Sequence, residues 1–297
     1  MSARTHLPVT VLLAALAVGA CSSGASGGGS PSTAETGAPT VVDGIVHPTG
    51  ASDIVLRLDE SGGFVPAEFL AAHVPQFTLY GDGTVVFVSS TEALPERNDG
   101  VITGQPVKTA TLSEDQVQQL LEFALRDGGL GAARAEYQNP LVADAPTAVF
   151  TVNADGATKT VSVVALGMED PEPNADTAIK QALGEVGARL RDFDAGGSLG
   201  ATPYEAPAFE GVLTAQEGLE GVQIRDWPWP DLTPADFTLP NDPNTLPQAR
   251  ATLTPEQAAA LGVDGYENGI GGGVYLRDDE GKTYTFVLRP VLPDEAA

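Results

Sequence analysis

One cysteine in 297 residues sets the terms on which this chain folds. It is Cys21, and it stands just after an uncharged apolar run, Val9-Thr10-Val11-Leu12-Leu13-Ala14-Ala15-Leu16-Ala17-Val18. No disulfide can form within the chain, so the body that follows must be held by apolar packing and hydrogen bonds alone. As a helix the run is about 15 Å long, roughly half of a ~30 Å hydrocarbon layer. With Arg4 as a short positive segment before it, the run reads as the h-region of an export signal and not as a membrane span.

Val18-Gly19-Ala20-Cys21 closes that run with small residues and then the cysteine, and this order resembles the lipobox of bacterial lipoproteins. The resemblance implies that a diacylglyceryl group alkylates the Cys21 thiol and that signal peptidase II removes residues 1–20. Gly19 is a permitted rather than the commonest choice at its position. Two acyl chains anchor a protein stably where one gives only marginal binding. The chain is therefore expected on the extracytoplasmic face of a cell membrane, with the membrane as its first partner. An ordinary secretory signal is the other reading, and it leaves a lone exposed thiol in a secreted protein. From Ser22 to Pro39 nearly every residue is Ser, Gly, Ala, Thr or Pro, a composition that cannot bury a core. Residues 21–50 are accordingly expected to be a lipidated cysteine followed by a disordered tether spanning roughly 25 Å.

Charge narrows the partners. Loss of Arg4 with the leader leaves 14 Lys+Arg against 40 Asp+Glu, a net charge near −26. A body this acidic, with no basic cluster, is repelled by phosphate backbones, which argues against nucleic acid as a partner. Four Lys among 15 basic residues, with abundant Ala, Gly and Pro, is usage similar to that of secreted lipoproteins from high-GC bacteria.

Periodicity in the body alternates between that of strands and that of helices. Ile54 to Leu58 reads as a strand; Gln76–Tyr80 and Thr84–Val88 flank Gly81-Asp82-Gly83, a hairpin signal. Ser113 with Gln116 forms a capping box before an apolar stripe of Val117, Leu120, Leu121 and Ala124, and Gly128-Gly129 ends the helix. A second hairpin turns at Asn153-Ala154-Asp155-Gly156, and Ile179, Leu183, Val186 and Leu190 mark a further helix. Prolines at 203, 207, 228, 230, 234, 240, 243 and 247 are expected to forbid most regular structure between 201 and 250. Thr254-Pro255-Glu256-Gln257 opens another capped helix, and a last hairpin turns over Asp278-Asp279-Glu280-Gly281.

The fold class that follows is α+β, with antiparallel hairpins packed against helices. Residues 51–195 read as a first α+β domain, and 196–297 as a proline-rich connection with a second, smaller unit. Ala110-Thr111-Leu112-Ser113 and Ala251-Thr252-Leu253-Thr254 each precede a helix and then a Gly-turn hairpin, so the two αββ units are either related or simply share good helix-start chemistry.

Reactive side chains are scarce. His6 lies in the leader, His47 in the tether region and His73 beside Pro75, so neither a histidine metal site nor a Ser-His-Asp triad is expected. Gly269-Ile270-Gly271-Gly272-Gly273 precedes a strand, whereas a phosphate cradle follows one. No metal or other cofactor is expected. Carboxylates are plentiful, and a hydrolase built on a buried Asp/Glu pair is the distant alternative. Trp227-Pro228-Trp229-Pro230 holds both tryptophans, which either pin a loop-rich region onto the core or present a partner surface. Gly62-Gly63-Phe64 reads first as a turn with its aromatic plugging the core; Phe64 joins Trp227 and Trp229 as a candidate partner-surface residue.

A strand ending in Gly62-Gly63-Phe64, a helix opened by Leu112-Ser113-Glu114-Asp115, then a hairpin and a final helix resemble the emfourin-type domains of secreted bacteria, over residues 53 to 193. That family includes inhibitors of metallopeptidases, so the resemblance implies a peptidase inhibitor. The residues themselves favour a non-catalytic cell-surface protein that binds a protein or small-molecule partner.

Overall fold

Turn chemistry decides where this chain doubles back. In the computed structural model Asp155 and Gly156 both have positive φ, 51° and 75°, the pairing that a tight two-residue hairpin demands. The flanking strands therefore run on to Ala154 and restart at Ala157. The structure describes residues 44–89, 100–102, 104–139, 142–168, 173–195, 197–219, 221–242, 245–261, 269–270 and 273–296. Residues 1–43, with Cys21 and the Ser/Gly-rich stretch after it, lie outside the described residues, as do Gly271 and Gly272.

In chain order the strands are β1 (Ile54–Gly62), β2 (Phe77–Tyr80), β3 (Thr84–Val88), β4 (Val101–Ile102), β5 (Gln105–Thr111), β6 (Glu136–Tyr137), β7 (Pro146–Ala154), β8 (Ala157–Val164), β9 (Thr202–Pro203), β10 (Phe209–Gln216), β11 (Ile224–Asp226), β12 (Ala249–Leu253), β13 (Gly269–Ile270), β14 (Gly273–Arg277) and β15 (Thr283–Pro290). The helices are α1 (Ala67–Ala71), α2 (Glu114–Glu122, continued by a π turn over Phe123–Asp127), α3 (Thr177–Arg191) and α4 (Pro255–Ala259). The fold is α+β, with two sheets of mostly antiparallel strands interspersed with helices. The first sheet runs β13-β5-β3-β2-β1-β7-β8-β6, with β9 also on β5; the second runs β11-β14-β15-β10-β12, with β4 on β14.

Strand alternation sorts the side chains of the first sheet. Val85 and Phe87 of β3 join the cluster that receives Leu120 and Leu121 of α2 and Leu183, Val186 and Leu190 of α3. Their neighbours Val86 and Val88 join a second cluster, shared with Phe209, Phe286 and Leu288 of the second sheet. The helices are placed by their starts: Ser113 and Gln116 exchange the two hydrogen bonds of a capping box, and so do Thr254 and Gln257. Arg191 at the end of α3 is fixed to Glu60 of β1 by two hydrogen bonds of 2.7 and 2.5 Å.

Three sequence expectations change. Strand β10 lies inside the proline-rich stretch, yet it is the inner strand between β15 and β12. The run between Pro207 and Pro228 contains no proline, and within it Phe209, Gly211 and Leu213 alternate inward. Residues 44–50, assigned to the tether, belong to the body: Ile45 N–H donates to Gln118 Oε1 at 2.8 Å, Asp155 N–H donates to Val46 O at 2.6 Å, and His47 meets Glu114 at 3.2 Å. The division expected near 195 is crossed in both directions, because β4 sits in the second sheet while β9 and β13 sit in the first.

The two αββ units share an order but not a wiring. The first strand of the β7–β8 hairpin pairs with β1, whereas the second strand of the β14–β15 hairpin pairs with β10.

Candidate functional site

Phe64 departs from the first of its two sequence readings. Instead of plugging the core it is 96% exposed, with Val65 beside it at 45%. The loop that carries it is nonetheless held. Gly62 still pairs with Pro146 in the ladder, and Val65 N–H donates to Gly63 O at 3.1 Å, a tight turn centred on Phe64 itself. Gly62 and Gly63 have φ of +90° and +80°, values that L side chains rarely adopt. At Gly63 a Cβ would also come within 3.1 Å of Asp144 O. After the tip, Pro66 caps α1, and α1 packs Ala71 and Ala72 against Val212 and Val287 of the second sheet. Beside the tip lies a groove of about 520 Å³, with Val65, Phe69 and Leu70 among its walls.

The tip stands at the far end of β1 from the turn that holds Val46. Ile54 O, at the start of β1, accepts from Asn153 Nδ2 at 2.6 Å, next to the turn that holds Val46. From Ile54 to Gly62 an extended strand covers about 26 Å.

The two tryptophans behave in the opposite way. Trp229 is 4% exposed and donates its indole N–H to Gln257 O at 2.7 Å; its ring lies 5.2 Å from that of Phe286. Trp227 is half-buried, donates to Leu232 O at 2.6 Å, and meets Trp229 edge-on at 5.1 Å. Trp229 and its ring neighbours thus pin the proline-rich loop to the core, while Trp227 also borders a groove of about 610 Å³ facing the Asp278–Lys282 turn. The structure does not bring Phe64 together with the tryptophans, and Phe64 itself lines neither groove.

His73 pairs with Asp59 at 2.5 Å and His47 with Glu114, so both described histidines are tied into local contacts. Among the described residues no group of three His, Cys, Asp or Glu side chains is placed to hold a metal ion. Glu210 is bridged by Arg250 at 2.7 Å and Arg289 at 3.1 Å. Burial works to raise Asp294, but hydrogen bonds from Arg57 and Tyr80 outweigh it and hold this carboxyl below the usual range. Glu114 is also held low, by the hydrogen bond from Gln118, and Asp236 by those from Thr233. A carboxylate hydrolase needs one acid shifted the other way.

Sequence reasoning missed α1 and the outward direction of Phe64. The available signal was the pair of glycines directly before Phe-Val-Pro, which marks a turn needing positive φ just ahead of a helix start. Among the described residues no helix is long and apolar enough to cross a membrane. Compared with protein-family models, with curated proteins and with solved structures, the chain matches none.

Proposed function

We propose that this chain is a lipid-anchored extracytoplasmic protein that binds a protein partner through the Gly62–Val65 tip, without catalysis of its own. The observation that carries the reading is Phe64, 96% exposed on a loop whose conformation is fixed from both sides. A scattered exposed apolar residue is ordinary and signals nothing. Here two positive-φ glycines, a ladder pair and a following proline together hold a phenylalanine outward, next to a groove of mixed polar and apolar lining. Pre-ordering of this kind lowers the entropy lost on docking, and a protruding aromatic is a common anchor in a partner's pocket. The anchor rests on the lipobox-like Val18–Cys21 segment.

A photo-crosslinking phenylalanine analogue at position 64, in the full chain on native membranes, tests the reading. Specific adducts from position 64 that are absent from the same analogue at exposed Met168 are the expected result; equal adducts from both positions contradict it. For the anchor, mass spectrometry of the mature protein should find an acylated Cys21 as the first residue, and Cys21→Ala should release the protein from membranes. An intact leader or an unmodified thiol contradicts the anchor.

A peptidase inhibitor is the second reading, and the same loop favours it. An inhibitory loop must be exposed yet ordered enough to resist rearrangement in an enzyme cleft, and residues 62–65 meet both conditions. Recovery of a peptidase as the position-64 adduct, together with its inhibition by the purified protein, would select this reading.

A further inference from the structure

A knob and a hollow lie side by side on one patch of this surface. Phe64 opens a run of four apolar residues, Phe64-Val65-Pro66-Ala67, every one of them exposed. The hollow is the groove of about 520 Å³ that starts at Gly62 and Val65, on either side of Phe64 in the chain, and takes Phe69, Leu70 and Val88 into its wall. Phe64 is not part of that wall, so its ring leaves the hollow of its own chain open.

Charge in the groove is compensated within the chain. Glu60 accepts two hydrogen bonds from Arg191, and His73 is paired with Asp59 of β1. Most of a chain with net charge −25 repels a second copy of itself, and local pairing relieves that repulsion here. Glu68 on α1 and Asp144, whose carbonyl lies under Gly63, remain as carboxylates beside the tip. Their mutual repulsion across an interface is of the kind that salt screens.

We propose that the partner of the tip is a second copy of this chain, related to the first by a two-fold axis, with the Phe64 ring of each copy seated in the groove of the other. The inference rests on the reading of the tip as a partner-binding element. A two-fold interface presents the same patch from both copies, so the patch must be complementary to itself. A knob next to an open hollow meets that condition, whereas an unlike partner would use only one of the two. Each phenylalanine buries about 200 Å², and two of them fall well short of the ~1,200–2,000 Å² of a stable interface. The pairing is therefore weak in dilute solution and needs copies held close together.

Two differently tagged full chains are co-expressed in native membranes, one with the photo-crosslinking phenylalanine analogue at position 64 and the other unaltered. The expected adduct carries both tags, and mass spectrometry places the link on groove residues such as Phe69, Leu70 or His73. Its yield should rise with sodium chloride, and Ser61→Trp in the unaltered chain, at an exposed position of the groove wall, should remove most of it. An adduct with an unlike protein would overturn the second copy while leaving the tip its partner-binding role. No adduct above that from position 168 would overturn both. Two copies linked outside the groove, or a yield unchanged by Ser61→Trp, would overturn the reciprocal docking alone.

Discussion

Phe64 and Trp229 are aromatic residues in glycine- or proline-rich loops, and the fold treats them oppositely. Trp229 is 4% exposed, packed at a tilt against Phe286 and hydrogen-bonded to Gln257 O; Phe64 is 96% exposed and reaches no apolar neighbour of the core clusters. The difference separates two uses of an aromatic side chain. One supplies stability to a stretch that prolines prevent from building its own ladders. The other is carried outward on a turn that two positive-φ glycines permit, and supplies exposed apolar surface.

The largest effect should come from the buried member. Trp229→Ala should destabilise the protein by about 3–5 kcal/mol, by loss of packing and the cavity left behind, measured by urea unfolding of the solubilised protein. A loss below about 1 kcal/mol would show that the tryptophan loop does not pin the second sheet.

Next in size is the polar clamp between the sheets. Asp294 accepts from Arg57 at 2.7 Å and from Tyr80 at 2.6 Å, so Asp294→Ala should cost about 2 kcal/mol because hydrogen bonds to a charged group are the stronger kind. Its carboxyl is held below the usual range in the folded state. Its contribution is therefore fully present above the unfolded value of about 3.9 and is lost as pH falls through the folded-state value. Thermal melts should show wild type losing stability below about pH 4 more steeply than the Asp294→Ala variant.

Gly63→Ala tests whether the tip is held under constraint. With φ at +80° and Asp144 O 3.1 Å from the new Cβ, the substitution should cost about 1 kcal/mol and reduce crosslinking from position 64. The smallest effect belongs to Phe64 itself: Phe64→Ser should change stability by less than about 0.5 kcal/mol, as exposed substitutions do.

Local chemistry was legible in the sequence, and direction was not. The capping boxes at Ser113 and Thr254 and the Asp155-Gly156 turn were readable because each is decided by residues within four positions of one another. Strand β10 was hidden because prolines on both sides mask an alternation only a few residues long. The partners that decide the aromatic loops are distant: Gln257 O lies 28 residues from Trp229, and Asp144 O closes the turn beneath Gly63. Of the candidate site residues, Phe64 was read both as a core plug and as a surface residue, because glycine pairs mark a turn without saying which way the next side chain points. Residues 44–50 were given to the tether on composition, although Ile45 and Val46 form backbone hydrogen bonds with Gln118 and Asp155 that no local pattern announces.

The central claim is that the Phe64 tip recognises a partner and contributes little to folding. Thermal melting and membrane crosslinking of the same Phe64→Ser protein test it together. The account predicts an unchanged melting temperature and loss of the adducts that the wild-type chain gives through neighbouring position 65. A melting temperature lowered by several degrees, or adducts that persist unchanged, would contradict it.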